Sequence, residues 1–128
     1  MRIFKNIRFT KFANKSGITD KALCKAVMNA EQGLIDADLG GGVIKQRVAR
    51  QGEGKSGGFR TMILFKKGDK SFFVHGFAKN KFDNISDNDL IILKKLASQM
   101  LSCTDAEIDK LVKENLLTEV IYEEKTVS

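Results

Sequence analysis

The chain has 128 residues, of which 42% are hydrophobic, and a formal net charge of +6. This length predicts one domain over residues 1–128, with enough apolar side chains for a core. No stretch approaches the roughly 18 apolar residues of a membrane-spanning helix, and the basic N-terminus lacks the continuous apolar stretch of a secretory signal. We therefore expect a cytoplasmic protein without a membrane partner. One His and two distant Cys offer too few ligands for a zinc site, so no metal is expected.

The N-terminal third is predicted to contain one strand and two helices. Residues 2–6 predict a short strand, and a short helix follows that ends at Gly17. A second helix begins at Thr19, has apolar residues at helical spacing and ends at Gly33. Residues 34–42, which finish in three glycines, are expected to form a loop.

Three strand-like segments occupy the centre of the chain. Residues 43–50 alternate between two faces, and residues 58–68 and 70–80 are rich in aromatic and β-branched side chains. Gly68-Asp69 predicts a hairpin turn between the second and third segments. Because these two segments are apolar on both faces, we expect them to lie centrally in the sheet, covered by helices.

Two further helices are predicted after the strands. Ser86 with Asp89, and Thr104 with Glu107, have the spacing of helix N-terminal caps, and an apolar stripe follows each pair. Residues from about 121 to 128 are expected to form a frayed tail. The element order predicts an α+β domain with a small antiparallel β-sheet flanked by helices.

Positive charge is concentrated in the central strands. Residues 43–81 contain ten Lys or Arg and two acidic residues, whereas residues 82–128 contain five Lys and ten acidic residues. A basic centre of this kind predicts a surface that binds a polyanion. Lysines that only keep the protein in solution are the alternative interpretation.

Residues 50–60, "RQGEGKSGGFR", contain the Gly-Lys-Ser of a nucleotide-binding loop. That motif needs a Gly five residues before Gly54, where this chain has Ala49, and a helix directly after Lys-Ser, where this chain has a strand-like segment. We therefore expect no nucleotide cofactor and interpret the segment as a cationic loop between strands. Its glycines would let a ligand approach the backbone closely, although an ordinary long hairpin loop is also compatible with them.

Several cations and one aromatic side chain would share a face if the three central strands are adjacent. They are Lys45, Arg47, Arg60, His75, Phe77 and Lys79. Three simpler interpretations stay open. Lys45 and Arg47 would be a solvated strand face, Arg60 would pair with a core carboxylate, and His75 would be an ordinary half-buried side chain.

Such a set of side chains suits the cleavage of RNA without a metal. The 2′-OH must lose a proton, the pentavalent phosphate must be stabilised, and the 5′-oxygen must gain a proton. Arg holds a phosphate through two hydrogen bonds, and an aromatic ring can stack on a base. The candidates for catalysis are Lys45, Arg47, Arg60, His75 and Lys79, and those for RNA binding are Arg50, Lys55, Phe77 and Lys81. Binding without cleavage would use the same residues.

The segment from Gly40 to Ser86 resembles RelE/HigB-type toxins of bacterial type II toxin–antitoxin systems. The resemblance rests on its Lys-Gln-Arg, Gly-Lys-Ser-Gly-Gly-Phe-Arg and Phe-Ala-Lys-Asn stretches and extends over roughly residues 1–120. It implies the RelE/ParE-like toxin fold, ribosome-dependent cleavage of mRNA and neutralisation by a co-encoded antitoxin. By position, Arg60 matches an arginine that contacts the scissile phosphate in relatives.

At other positions this chain agrees with the toxin family only in part. Lys45 and Arg47 fall where such toxins keep strand cations facing RNA, and Lys79 falls at the end of the next strand. Many relatives place an aromatic or basic residue near the C-terminus, where this chain has only Tyr122, so the role of Tyr122 stays open.

Two other functions also stay open: a ParE-like toxin that acts on DNA gyrase, and a plain RNA-binding module. His75 among the cations favours cleavage, because a gyrase-directed toxin needs no proton-transfer set.

Overall fold

A six-stranded sheet forms the centre of the protein in the computed structural model, which describes residues 1–49, 58–78 and 85–121. The strands are β1 (Arg2–Asn6), β2 (Ala37–Gly40), β3 (Val43–Val48), β4 (Phe59–Lys66), β5 (Lys70–Ala78) and β6 (Leu117–Glu119). Their spatial order is β2-β3-β4-β5-β1-β6. All neighbours are antiparallel except β1 and β5, which are parallel.

Four helices in the described part of the chain cover the two faces of this sheet. They are α1 (Ile7–Ser16), α2 (Asp20–Glu31), α3 (Asp87–Met100) and α4 (Asp105–Lys113). The core on the α1–α2 side includes Phe9, Leu23, Val27, Ile44, Ile63 and Phe73. The core on the α3–α4 side includes Phe4, Met62, Leu64, Phe72, Ala97 and Ile108. The predicted α+β class, with β4 and β5 central and helices on both faces, is confirmed.

The helix boundaries follow the capping residues seen in the sequence. Gly17 ends α1 in the left-handed conformation, at a φ of 69°, which glycine adopts without strain. The Thr19 side chain caps α2, and the Ser86 side chain accepts a hydrogen bond from the Asp89 amide at the start of α3. At α4, Thr104 and Glu107 form a reciprocal capping box. None of the helices in the described part of the chain has the length and apolarity to cross a bilayer.

Two short edge strands differ from the sequence prediction. Residues 34–42 were expected to form a loop, but β2 lies inside this range and pairs with β3, with a register shift between Asp38 and Gly40. Strand β6 follows α4 and pairs with β1. Strands of three or four residues are too short to show an alternating pattern, so only the neighbouring strand reveals them.

Arg2 joins the C-terminal elements to the centre of the sheet. From β1, its guanidinium donates hydrogen bonds to Glu119 in β6 and to Asp105 and Asp109 in α4. These bonds, first of all the one to Glu119, raise the pKa of Arg2 above its already high ordinary value. The cation of Arg2 thus ties α4 and β6 to β1, a strand that is hydrogen-bonded on both sides.

Candidate active site

The strand register brings five of the predicted site residues onto one face of the sheet. Directly opposite residues form two rows across β3, β4 and β5: Arg47 with Arg60 and Phe77, and Lys45 with Met62 and His75. Residues opposite each other on adjacent strands project from the same face. Met62 belongs to the core on the α3–α4 side, so both rows lie on that face. We call Lys45, Arg47, Arg60, His75 and Phe77 the cationic face.

Members of the cationic face differ in how far they reach solvent. Arg47 is exposed, whereas Lys45, His75 and Phe77 are half-buried. The rings of His75 and Phe77 lie 5.7 Å apart between centroids and are tilted by 41°. Phe77 also packs against the core below the face, so only part of its ring is available to stack on a base.

Arg60 is engaged by a carboxylate that the sequence did not reveal. Its Nη1 donates to Oδ2 of Asp36, which directly precedes β2. The Arg60 side chain is only 17% exposed, and the Asp36 side chain is 29% exposed. The sequence left open whether Arg60 pairs with a core carboxylate. Arg60 does pair with a carboxylate, but this carboxylate belongs to Asp36 in the connection between α2 and β2 and not to a residue of the core.

Gln46 holds Asp36 in place from the other face of β3. The Asp36 amide donates to Oε1 of Gln46 over 3.0 Å. Nε2 of Gln46 donates to the carbonyl oxygens of Ala26 and Leu34, each over 2.9 Å. Gln46 is buried and thereby links α2, the α2–β2 connection and β3. The sequence did carry a signal for this role, because a glutamine occupies an inward position between Ile44 and Val48.

Charge and burial lower the pKa of His75 from its ordinary value. Burial has the largest effect, the positive charge of Arg8 lowers the pKa further, and the carboxylate of Asp89 partly opposes both. A lowered pKa makes the imidazole neutral at pH 7, so it can accept a proton. Arg8 comes from the first turn of α1 and belongs to the surroundings of the cationic face, although its sequence position gave no indication of this.

We expect the pKa of His75 to respond in opposite directions to its two charged neighbours. Arg8→Ala should raise the pKa, and Asp89→Asn should lower it further. Because His75 is the only histidine, an NMR pH titration of its imidazole protons measures this directly. Lys15→Ala, which removes an exposed cation from the last turn of α1, is the matched control and should leave the pKa unchanged. An unchanged or lower pKa of His75 in the Arg8→Ala protein would contradict this account.

The same shift predicts how stability depends on pH. The pKa of His75 is lower in the folded protein than the ordinary 6.5 of an unfolded chain, so the unfolded state binds more protons in this window. The contribution of His75 to the free energy of unfolding is therefore present above pH 6.5 and is lost as the pH falls through the folded-state pKa.

Several predicted site residues lie outside the described residues. They are Arg50, Lys55, Lys79 and Lys81, and Tyr122 lies outside them as well. Their suggested roles in catalysis or RNA binding stay predictions. Within residues 1–49, 58–78 and 85–121, no three His, Cys, Asp or Glu side chains are grouped so that they could hold a metal ion.

A comparison with protein families gives one match that covers most of the chain. The model of a family described as the RelE toxin of the RelE/RelB toxin–antitoxin system matches residues 1–120. This range contains every element of the described fold and every member of the cationic face. No curated protein gives a significant match to the chain.

Proposed function

This chain belongs to the RelE family of toxins of toxin–antitoxin systems, and we propose that it is a metal-independent endoribonuclease. In this proposal it cleaves translated mRNA on the ribosome, inhibits translation and is neutralised by a cognate antitoxin. The observation that carries the proposal is the cationic face, where Arg47 and Arg60 lie directly opposite each other and His75, whose pKa is lowered, lies in the neighbouring row. Two arginines supply the charge that a phosphate needs, and His75 supplies a group that can move a proton.

The reaction divides between these residues according to their chemistry. His75, neutral at pH 7, removes the proton of a ribose 2′-OH, and the resulting oxygen attacks the adjacent phosphorus. Arg60 and Arg47 stabilise the extra negative charge of the pentavalent phosphate. The P–O5′ bond then breaks, the 5′-oxygen takes up a proton, and a 2′,3′-cyclic phosphate remains on the upstream fragment. Lys45 and Lys79 are the candidate donors of that proton.

Substrate binding would use the rest of the basic surface. Part of the Phe77 ring is accessible for stacking on a base next to the scissile phosphate. Arg50, Lys55 and Lys81 are proposed to contact the RNA backbone, which they would do without regard to sequence.

Mapping mRNA 5′ ends in cells after induction of the protein tests this function. We expect cuts inside translated codons, and no such cuts in untranslated regions. Co-expression of the antitoxin encoded next to the gene should abolish them. Intact mRNA together with a DNA-damage response would instead indicate a toxin that acts on gyrase. Intact mRNA with no growth defect would indicate an RNA-binding module, and either result would refute the nuclease.

A further inference from the structure

The ion pair between Asp36 and Arg60 crosses a strand. Asp36 precedes β2, Arg60 lies in β4, and β3 runs between these two strands. The residue of β3 that faces Arg60 is Arg47, and side chains in such a pair start about 5 Å apart. Two cations at this spacing repel each other, so the carboxylate of Asp36 offsets the repulsion that would otherwise drive Arg60 off the face.

The pair also restricts how the guanidinium of Arg60 is oriented. A guanidinium is a planar fork with five donor hydrogens, and Asp36 occupies Nη1. Nε is buried and has no hydrogen-bond partner among the described residues. With one hydrogen of Nη1 bonded to Asp36 and Nε enclosed, the second Nη1 hydrogen and the two hydrogens of Nη2 are left to meet an incoming ligand on the cationic face.

Asp36 is itself fixed, which distinguishes this contact from an ordinary surface salt bridge. Its backbone amide is bonded to the buried side chain of Gln46, and Gln46 is bonded in turn to the carbonyl of Ala26 in α2. The backbone of Asp36, and with it the origin of the carboxylate side chain, is therefore held by both β3 and α2. A group held in this way can orient its partner before a substrate binds.

We propose that Asp36 is a positioning residue that holds the guanidinium of Arg60 in the orientation needed to meet the scissile phosphate of RNA. This inference rests on the proposed nuclease function and extends it to a residue outside the set of strand cations. Asp36 does not touch the substrate; its effect passes through Arg60. Loss of its carboxylate should therefore slow the chemical step, while RNA binding is kept because the net charge of the protein becomes more positive.

Steady-state cleavage of mRNA on programmed ribosomes by the full chain tests this inference. We expect Asp36→Asn to lower kcat by about 10–100-fold, with KM unchanged or lower, because small errors in position cost rates of this order. Asp36→Glu should recover part of the rate. The matched control is Asp38→Asn, which makes the same charge change two residues away, where the carboxylate accepts a hydrogen bond from Gly40; its kcat should be unchanged.

A second measurement follows the guanidinium without using activity. In a ¹⁵N NMR spectrum, the Nε–H signal of Arg60, assigned with Arg60→Lys, should be resolved and slow to exchange. Asp36→Asn should shift it into the range of mobile arginines, and Asp38→Asn should not. An unchanged kcat or an unchanged Arg60 signal in Asp36→Asn would overturn the positioning role. The positioning role would also be overturned if Asp36→Asn lost RNA binding, cleavage rate and thermal stability to the same extent, because such losses would indicate a purely structural effect.

The outcomes separate the inference from the function on which it rests. If the unchanged protein does not cleave mRNA, the proposed function fails, and the role of Asp36 toward RNA fails with it. If the unchanged protein cleaves and Asp36→Asn cleaves equally well, only the positioning role fails.

Discussion

Arg60→Ala is expected to lower the rate of mRNA cleavage by about 10²–10³-fold, the loss typical for one group that stabilises developing charge. The Arg60 side chain is largely enclosed, since only 17% of it is exposed. A phosphate that reaches it is shielded from water, so its charge interaction is strong. The ribosome assay measures the rate as kcat. In cells, the loss of activity should appear as relief of growth inhibition.

Two further variants make the Arg60 prediction specific. Lys66→Ala also removes one positive charge from β4, but at the exposed far end of the strand beside Asp69, so the rate should stay within about two-fold. Arg60→Lys keeps the charge but loses the planar fork, so its rate should lie between those of Arg60→Ala and the unchanged protein. Folding should survive in Arg60→Ala, because Asp36 is part-exposed and water can solvate it. Full activity of a folded Arg60→Ala protein would refute its role at the phosphate.

The sequence could predict the cationic face because strand geometry is local. Alternation alone places Lys45 and Arg47 on one side of β3, and His75 and Phe77 on one side of β5. The hairpin turn at Gly68 then brings β4 and β5 together with little freedom in register. The register shift between Met62 and Ile63 could not be foreseen, yet His75 remains opposite Met62 in the observed pairing.

The groups that surround the face could not be predicted in the same way. Asp36 meets Arg60 only because β2 lies at the sheet edge, and the sequence gives no sign of this strand. Arg8 approaches His75 because β1 pairs in parallel with β5 and the chain then turns directly into α1. Such contacts depend on the spatial order of strands, which one sequence leaves undetermined when two strands have only three or four residues.

Gln46→Ala is expected to lower the free energy of unfolding by about 2–4 kcal/mol, because it removes three hydrogen bonds of a buried side chain and leaves their partners unpaired. The loss is largest at the carbonyl of Ala26, where the bond is fully buried, and smaller at Asp36 and Leu34, which water can reach in part. Urea unfolding measures it. Gln99→Ala in α3 removes an exposed glutamine and should change stability by less than about 0.5 kcal/mol.

The same substitution should also slow cleavage, although Gln46 faces away from the cationic face. Of the three hydrogen bonds of its side chain, only the one to the Asp36 amide leads to the partner of Arg60. The loss of rate in Gln46→Ala should therefore be much smaller when Asp36 is already replaced by Asn, since the two residues act in series. Independent, multiplying losses in the double variant would show that Gln46 supports activity by another path. A stable Gln46→Ala protein would show that the three hydrogen bonds contribute little to the fold.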